Sequence, residues 1–152
     1  MTSHTLGRVL GLGNLINIHY LKGALKYICH IVPVKLLLTA GIVSFADTGV
    51  QDTQLITSVA TLKTAVDTLS SGGSTNHEDA FEKALALFNP ASTNAKVMVM
   101  FTDGVTTAGG NANAIATLAK AQGVIIYVIG LSGNGGIDEQ ALVNGCYSIL
   151  SA

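Results

Sequence analysis

The segment Lys96-Val97-Met98-Val99-Met100-Phe101-Thr102-Asp103-Gly104 most restricts what this chain can fold into. Six apolar or β-favouring residues follow Lys96 without alternation, which predicts a strand buried on both faces, as in the middle of a parallel sheet. Asp-Gly ends the run, so Asp103 is expected at the carboxyl end of that strand. In open α/β sheets this is the edge where ligands bind.

The remaining elements read as packed around this strand. Arg8–Leu12 offers a short apolar strand. Asn14 is placed to cap a helix over about 15–32, in which Leu15, Ile18, Leu21, Leu25, Ile28 and Val32 recur at helical spacing until Pro33. Leu36–Ala46 predicts a buried strand, clearest over Gly41–Ala46, and Asp47-Thr48-Gly49 a turn. Val50–Thr57 fits either a short edge strand or the start of the next helix. From Ser58, Val59, Leu62, Val66 and Leu69 give a helical face, which Ser70-Ser71-Gly72-Gly73 ends. A second helix runs from Asn76 to about Phe88, with Phe81, Ala84, Leu85 and Phe88 on one face, and Asn89-Pro90 breaks it. Gly104–Gly110 reads as a flexible loop and Asn111–Gln122 as a small-residue helix with Gly123 past its end. Val124–Leu131 is a further apolar strand, Ser132–Gly136 a turn, and Asp138 caps a last short helix through Val143. From residue 41 the order is strand, helix, helix, strand, helix, strand, helix. That alternation predicts an α/β fold: a doubly wound, mainly parallel sheet with right-handed crossovers and helices on both faces.

A chain of 152 residues suits one domain with a sizeable core, and 49% apolar against 11% charged residues excludes disorder. A net charge of −1 excludes bulk affinity for nucleic acid. The distribution is more telling. Residues 1–40 hold Arg8, Lys22, Lys26 and Lys35 and no acid; residues 41–152 hold four bases and nine acids, a net of −5. So sharp a switch marks the first forty residues as different in kind from the rest. No run approaches the ~20 apolar residues of a membrane span. No basic-then-apolar signal peptide opens the chain, so no export signal is expected within it. Cys29 and Cys146 have no metal spacing and read as buried small hydrophobes, with a disulfide as the alternative.

Two stretches are candidates for a site. Ser71-Gly72-Gly73-Ser74-Thr75-Asn76 joins two helices and offers hydroxyls and N–H groups at a helix N-terminus. Ser74 or Thr75 is either an anion or metal contact or, since Thr75-Asn76-His77-Glu78 matches the S/T-x-x-E capping box, Thr75 caps its own helix. Asp103 is either part of an Asp-Gly turn or a metal ligand presented at the sheet edge. Other motifs fail. Gly11-Leu12-Gly13 lacks a third glycine, no G-K-[ST] exists, and Gly130-Leu131-Ser132-Gly133 has the wrong spacing for a nucleophile elbow. His4, His19, His30 and His77 read as surface or capping histidines. No nucleophile, base and orienter assemble, so no enzyme is expected.

Gly41–Ala46, Gly72-Gly73-Ser74-Thr75 before a helix, Lys96–Gly104 with Phe-Thr-Asp-Gly, and Val124–Gly130 together resemble the von Willebrand factor type A (vWA) domain family, its bacterial members above all. Their order and spacing match from Gly41 to about Gly145, roughly two thirds of the chain. The resemblance implies a metal-ion-dependent adhesion site on the carboxyl edge of the sheet. There five side chains hold a hydrated divalent cation, usually Mg²⁺, with Mn²⁺ or Ca²⁺ as alternatives, and a ligand carboxylate completes the shell. A D-x-S-x-S motif after the first strand supplies three of them. Thr75 matches the Thr that follows the Gly-Gly pair, and Asp103 matches the Asp that ends the later strand, with Ser74 and Gly104 beside them.

This chain departs from that pattern in its first strand. No acid precedes Asp47, and Ser3 and Thr5 sit in no D-x-S-x-S frame. Two ligands hold a small, reluctantly dehydrated cation poorly, so weak or no metal binding is expected. Only Arg8–Leu12 is available for the central first strand of the family, and residues 1–40 are expected to be unrelated sequence, such as a mis-started or frame-shifted reading. The family also adds a strand and a helix after the Asp138–Val143 region, so both the first strand and the C-terminal end are expected to be incomplete here. The resemblance implies a non-enzymatic module that binds a protein through an acidic side chain, within a larger surface or secreted protein. The alternatives are a metal-independent scaffolding module, and an accessory subunit of an ATPase or metal-chelatase complex.

Overall fold

The computed structural model describes residues 7–12, 39–102, 106–130 and 148–151, the first and last of these stretches by their backbone. Six strands form one sheet: β1 (Gly7–Leu12), β2 (Thr39–Phe45), β3 (Gly49–Gln51), β4 (Lys96–Thr102), β5 (Val124–Gly130) and β6 (Ser148–Ser151). Their spatial order is β3-β2-β1-β4-β5-β6. All neighbours run parallel except β2 and β3, which are antiparallel. Three helices pack on the sheet: α1 (Val59–Thr68), α2 (His77–Ala86) and α3 (Ala112–Ala121).

The central place of the sheet is filled by Gly7–Leu12. Its register sets Leu12 beside Ser44 on one side and beside Phe101 on the other. With both its edges paired, β1 leaves no open row of N–H and C=O groups on β2 or β4 at that level. The expected helix over 15–32, Cys29, Cys146, the Ser132–Gly136 turn and the Asp138–Val143 helix lie outside the described residues. β6 pairs with β5 beyond that last region, at a place where the C-terminal end is expected to be incomplete.

β2 and β4 are buried on both faces, as their unbroken apolar sequences require. On one face Val43, Phe45, Met98, Met100, Ile126 and Val128 meet Phe81 and Ala84 of α2 and Ala116 and Ala119 of α3. The alanines let α3 approach the strands closely. On the opposite face Ala40, Ile42 and Phe101 meet Leu62 and Val66 of α1. The sheet is therefore doubly wound, as expected.

The ambiguity over Val50–Thr57 resolves to a short edge strand and an extended connection. Ile56 exchanges two backbone hydrogen bonds with Ala40, each 2.9 Å. Thr53 Oγ1 accepts from Ile42 N at 3.0 Å and Asp52 Oδ2 from Ser44 N at 2.7 Å, so side chains seal the outer edge of β2. α1 then starts at Val59, with Ser58 Oγ accepting from Thr61 N at 3.3 Å.

β5 departs from the reading of a strand covered on both faces. Val124, Ile126 and Val128 are buried, whereas Ile125 is 45% and Tyr127 36% exposed. An apolar sequence alone does not reveal which face a neighbour covers. The phase is testable by unfolding in denaturant. Ile126→Ala, which empties a fully buried site, is expected to cost about 2–5 kcal/mol, and Ile125→Ala less than about 1 kcal/mol. Equal losses would contradict the placement of β5.

Candidate functional site

Both β2 and β4 end on the edge of the sheet where α2 begins, so the loops after them converge on its N-terminus. Residues Ser70–Thr75 lead into α2, and Gly73 turns with φ of +79°. Asp47, just past β2, accepts a hydrogen bond from Ser74 N at 2.7 Å through Oδ1. That bond holds the Asp47 carboxyl below its ordinary pKa, because it stabilises the charged form. The Asp47 carbonyl accepts from Asn76 Nδ2 at 3.0 Å.

Thr75 does not cap α2, which overturns the capping-box reading. The cap is Asn76, whose Oδ1 accepts from Asp79 N at 3.0 Å. Glu78 is turned elsewhere: its carboxylate accepts from Gly110 N and Asn111 N, at the start of α3. Asp79 is likewise directed outward, accepting from Gly49 N at 2.6 Å and lying 3.9 Å from Lys83 Nζ. The loop leading into α3 lies close against this cap. Gly109 has φ of +82°, and a Cβ on it would lie 2.3 Å from Asn76 Oδ1. Only glycine permits that approach.

Thr75 is held through its backbone. Its N–H donates to Thr107 Oγ1 at 2.9 Å, and its carbonyl accepts from Thr107 N, Ala108 N and Thr106 Oγ1 at 2.8, 3.1 and 2.9 Å. The residue is only 9% exposed, and no described residue hydrogen-bonds its hydroxyl. A buried hydroxyl held in place without a partner is costly unless something else satisfies it. Ser74 is half-buried beside it, its backbone committed to Asp47. Asp103 and Gly104 lie outside the described residues. Thr102, immediately before Asp103, is fully buried at the end of β4.

His77 is neither a surface nor a capping histidine. Nε2 and Thr102 Oγ1 share a hydrogen bond of 3.0 Å, and the ring meets that of Phe45 edge-on at 5.6 Å. Burial disfavours the imidazolium and lowers its pKa to about 4. Sequence reasoning also missed Asp47, Glu78, Thr106 and Thr107. The signals available were Asp47 straight after an apolar strand and two hydroxyls three and four residues past Asp103.

Asp47, Glu78 and Asp79 give this edge a negative field, which favours a cation. Hydroxyl and carboxylate oxygens fit a hard divalent ion in kind. In number they fall short: Thr75 is described, Asp103 is expected, and no acid precedes Asp47 to supply the rest. Among the described residues, no three His, Cys, Asp or Glu side chains converge to hold a metal. Among them, too, no helix is long and apolar enough to cross a membrane.

Partial burial of neutral His77 makes stability depend on pH. Its folded pKa lies below its unfolded value of 6.5, so the unfolded chain takes up the proton first as pH falls. Its contribution is complete above pH 6.5 and is lost by about pH 4, on the order of 3 kcal/mol in all. Asp52, whose pKa burial raises, acts with the opposite sign, losing stability as pH rises. The difference between wild type and His77→Gln in urea unfolding from pH 7 to 4 isolates the histidine. It is expected to narrow as pH falls, and a constant difference would contradict a buried neutral ring.

The fold has close parallels among solved structures. Proximal thread matrix protein 1 from the mussel byssus superposes with a TM-score of 0.84 at 21% identity, over 99% of this chain and 42% of that one. A further structure of it, described as having a zinc-occupied MIDAS motif, gives 0.83 at 22% identity, over 98% and 41%. This chain thus spans about two fifths of the mussel protein's length. The pilus adhesin SpaC of Lactobacillus rhamnosus GG gives 0.81 at 13% identity, over 100% and 29%. The vWF domain of the type V pili tip protein Mfa5 of Porphyromonas gingivalis gives 0.84 at 11%, over 100% and 90%. No curated protein sequence matches. The sequence profile of the von Willebrand factor type A domain matches residues 37–145, and the chain belongs to that family.

Proposed function

We propose that this vWA domain is a non-enzymatic protein-binding module whose adhesion site, on the carboxyl edge of the sheet, is degenerate. Thr75 and Asp103 are its remaining metal-holding side chains, with Ser74 and Gly104 shaping the loops beside them. The observation that carries this reading is Thr75 itself. Asn76 has taken over the cap, and the Thr75 hydroxyl is buried with no partner among the described residues. The mussel protein with its zinc-occupied motif supports a metal role for the edge. The pilus adhesin and the pilus tip protein support a role in adhesion and a surface location.

The cation is Mg²⁺, with Mn²⁺ or Ca²⁺ as alternatives, and it binds weakly because the D-x-S-x-S donors are missing. It recruits an acidic side chain of the partner. The alternative, a metal-independent scaffolding module, is favoured by one observation: protein groups alone already fix the backbone of Thr75.

A thermal melt with Mg²⁺ or Mn²⁺ separates these readings. At about ten times Kd the melting temperature is expected to rise by roughly 3–6 °C, and Thr75→Ala to lose that rise. A rise that survives Thr75→Ala would place the ion elsewhere. No rise at tens of millimolar would leave the metal-independent reading.

A further inference from the structure

Residues Thr106–Asn111 lie between β4 and α3 and are fastened to the start of α2 by two clasps. In the first, the Thr106 hydroxyl donates to the Thr75 carbonyl at 2.9 Å, and Thr107 N and Ala108 N reach the same oxygen at 2.8 and 3.1 Å. The Thr107 hydroxyl accepts in turn from Thr75 N at 2.9 Å. In the second, Gly110 N and Asn111 N both donate to the Glu78 carboxylate. Between the clasps Gly109 lies against the Asn76 side chain.

None of these six residues belongs to either apolar cluster of the core. Thr107, Gly109, Gly110 and Asn111 are exposed, and Thr106 and Ala108 are half-buried. The stretch is therefore held by hydrogen bonds at the surface, with little apolar area to lose on leaving. Segments of that kind open at a free energy well below that of global unfolding.

The two clasps support each other. Three donors converge on one carbonyl and two adjacent N–H groups share one carboxylate, so the bonds within each clasp part together. Both acceptors sit at fixed separation at the start of α2. With one clasp made, the short chain between them keeps the other within reach and raises its effective concentration. Glu78 is the stronger anchor, because a charged acceptor binds an N–H more tightly than a neutral one does.

We propose that Thr106–Asn111 is a strap that lifts from the start of α2 as one unit while the sheet stays folded, with Glu78 as its latch. Closed, it covers the Thr75 carbonyl, the Asn76 side chain and the Glu78 carboxylate. Open, it bares all three at the carboxyl edge. The motion involves no ion and is independent of any metal role of Thr75.

Hydrogen exchange of single amides, followed by NMR on the whole chain without metal, tests this in wild type, Glu78→Gln and Thr106→Val. Glutamine keeps the length of the side chain and removes its charge. Valine keeps the shape of threonine and removes its hydroxyl. Each variant thus weakens one clasp and leaves the groups of the other in place. The amides of Thr107, Ala108, Gly110 and Asn111 are expected to share one degree of protection in all three proteins. Glu78→Gln is expected to lower it about tenfold at all four positions, and Thr106→Val about fivefold at all four. In every case the amides of Met98 to Met100 are expected to stay orders of magnitude better protected and to respond far more steeply to urea, since strap opening exposes little surface.

A loss confined to Gly110 and Asn111 in Glu78→Gln overturns the proposal, because the clasps then part independently. Strap amides as well protected as those of Met98 to Met100, with the same response to urea, overturn it too, because the stretch then leaves only by global unfolding. Wild-type protection throughout in Glu78→Gln removes Glu78 as the latch and overturns it as well.

Discussion

The parallel pairing of Gly7–Leu12 between β2 and β4 is the constraint on which the rest of this structure depends. A strand with a neighbour on each side satisfies four rows of backbone groups at once, and among the described strands β1 alone joins the two halves of the sheet. Its register brings Ser44 and Phe101 level with Leu12, so the chain leaves β2 and β4 on the same edge. From that follows the meeting of Asp47, Thr102 and the N-terminus of α2. The strand also brings the family's deficit into the centre of the site, since no acid lies near its carboxyl end in sequence.

Around α2 the chain commits its carboxylates to backbone rather than to one another. Asp47, Glu78 and Asp79 each accept from N–H groups of a different loop, and Asn76 caps the helix between them. A net contribution of about 1 kcal/mol per hydrogen bond is modest, but the bonds cross the edge in several directions and restrict the same few residues. The result is an edge held in shape by protein groups.

Much of the fold is legible in the sequence. Unbroken apolar runs marked β2 and β4, helical spacing of Leu62 and Val66 marked α1, and Asn111 with Gly123 bounded α3. The site was legible in part. Thr75 and Asn76 are adjacent residues that both cap helices well, and nothing local decides between them. A long-range contact accompanies the choice of Asn76: its Nδ2 donates to the Asp47 carbonyl across some thirty residues of sequence. The same distance hid the role of Thr106 and Thr107, since a polar, glycine-bearing stretch resembles a free loop until its partners are known. His77 was misjudged because its burial depends on Phe45 and Thr102, which belong to other elements. The open face of β5 left no mark in an apolar sequence.

Amide hydrogen exchange along β1 tests the central claim most directly. If Gly7–Leu12 is the middle strand, the amides of Val9, Leu10 and Gly11 exchange as slowly as those of Met98 to Met100, through global unfolding alone. If they exchange orders of magnitude faster while β2 and β4 stay protected, the sheet closes without β1, and the edge built on its register must be drawn again.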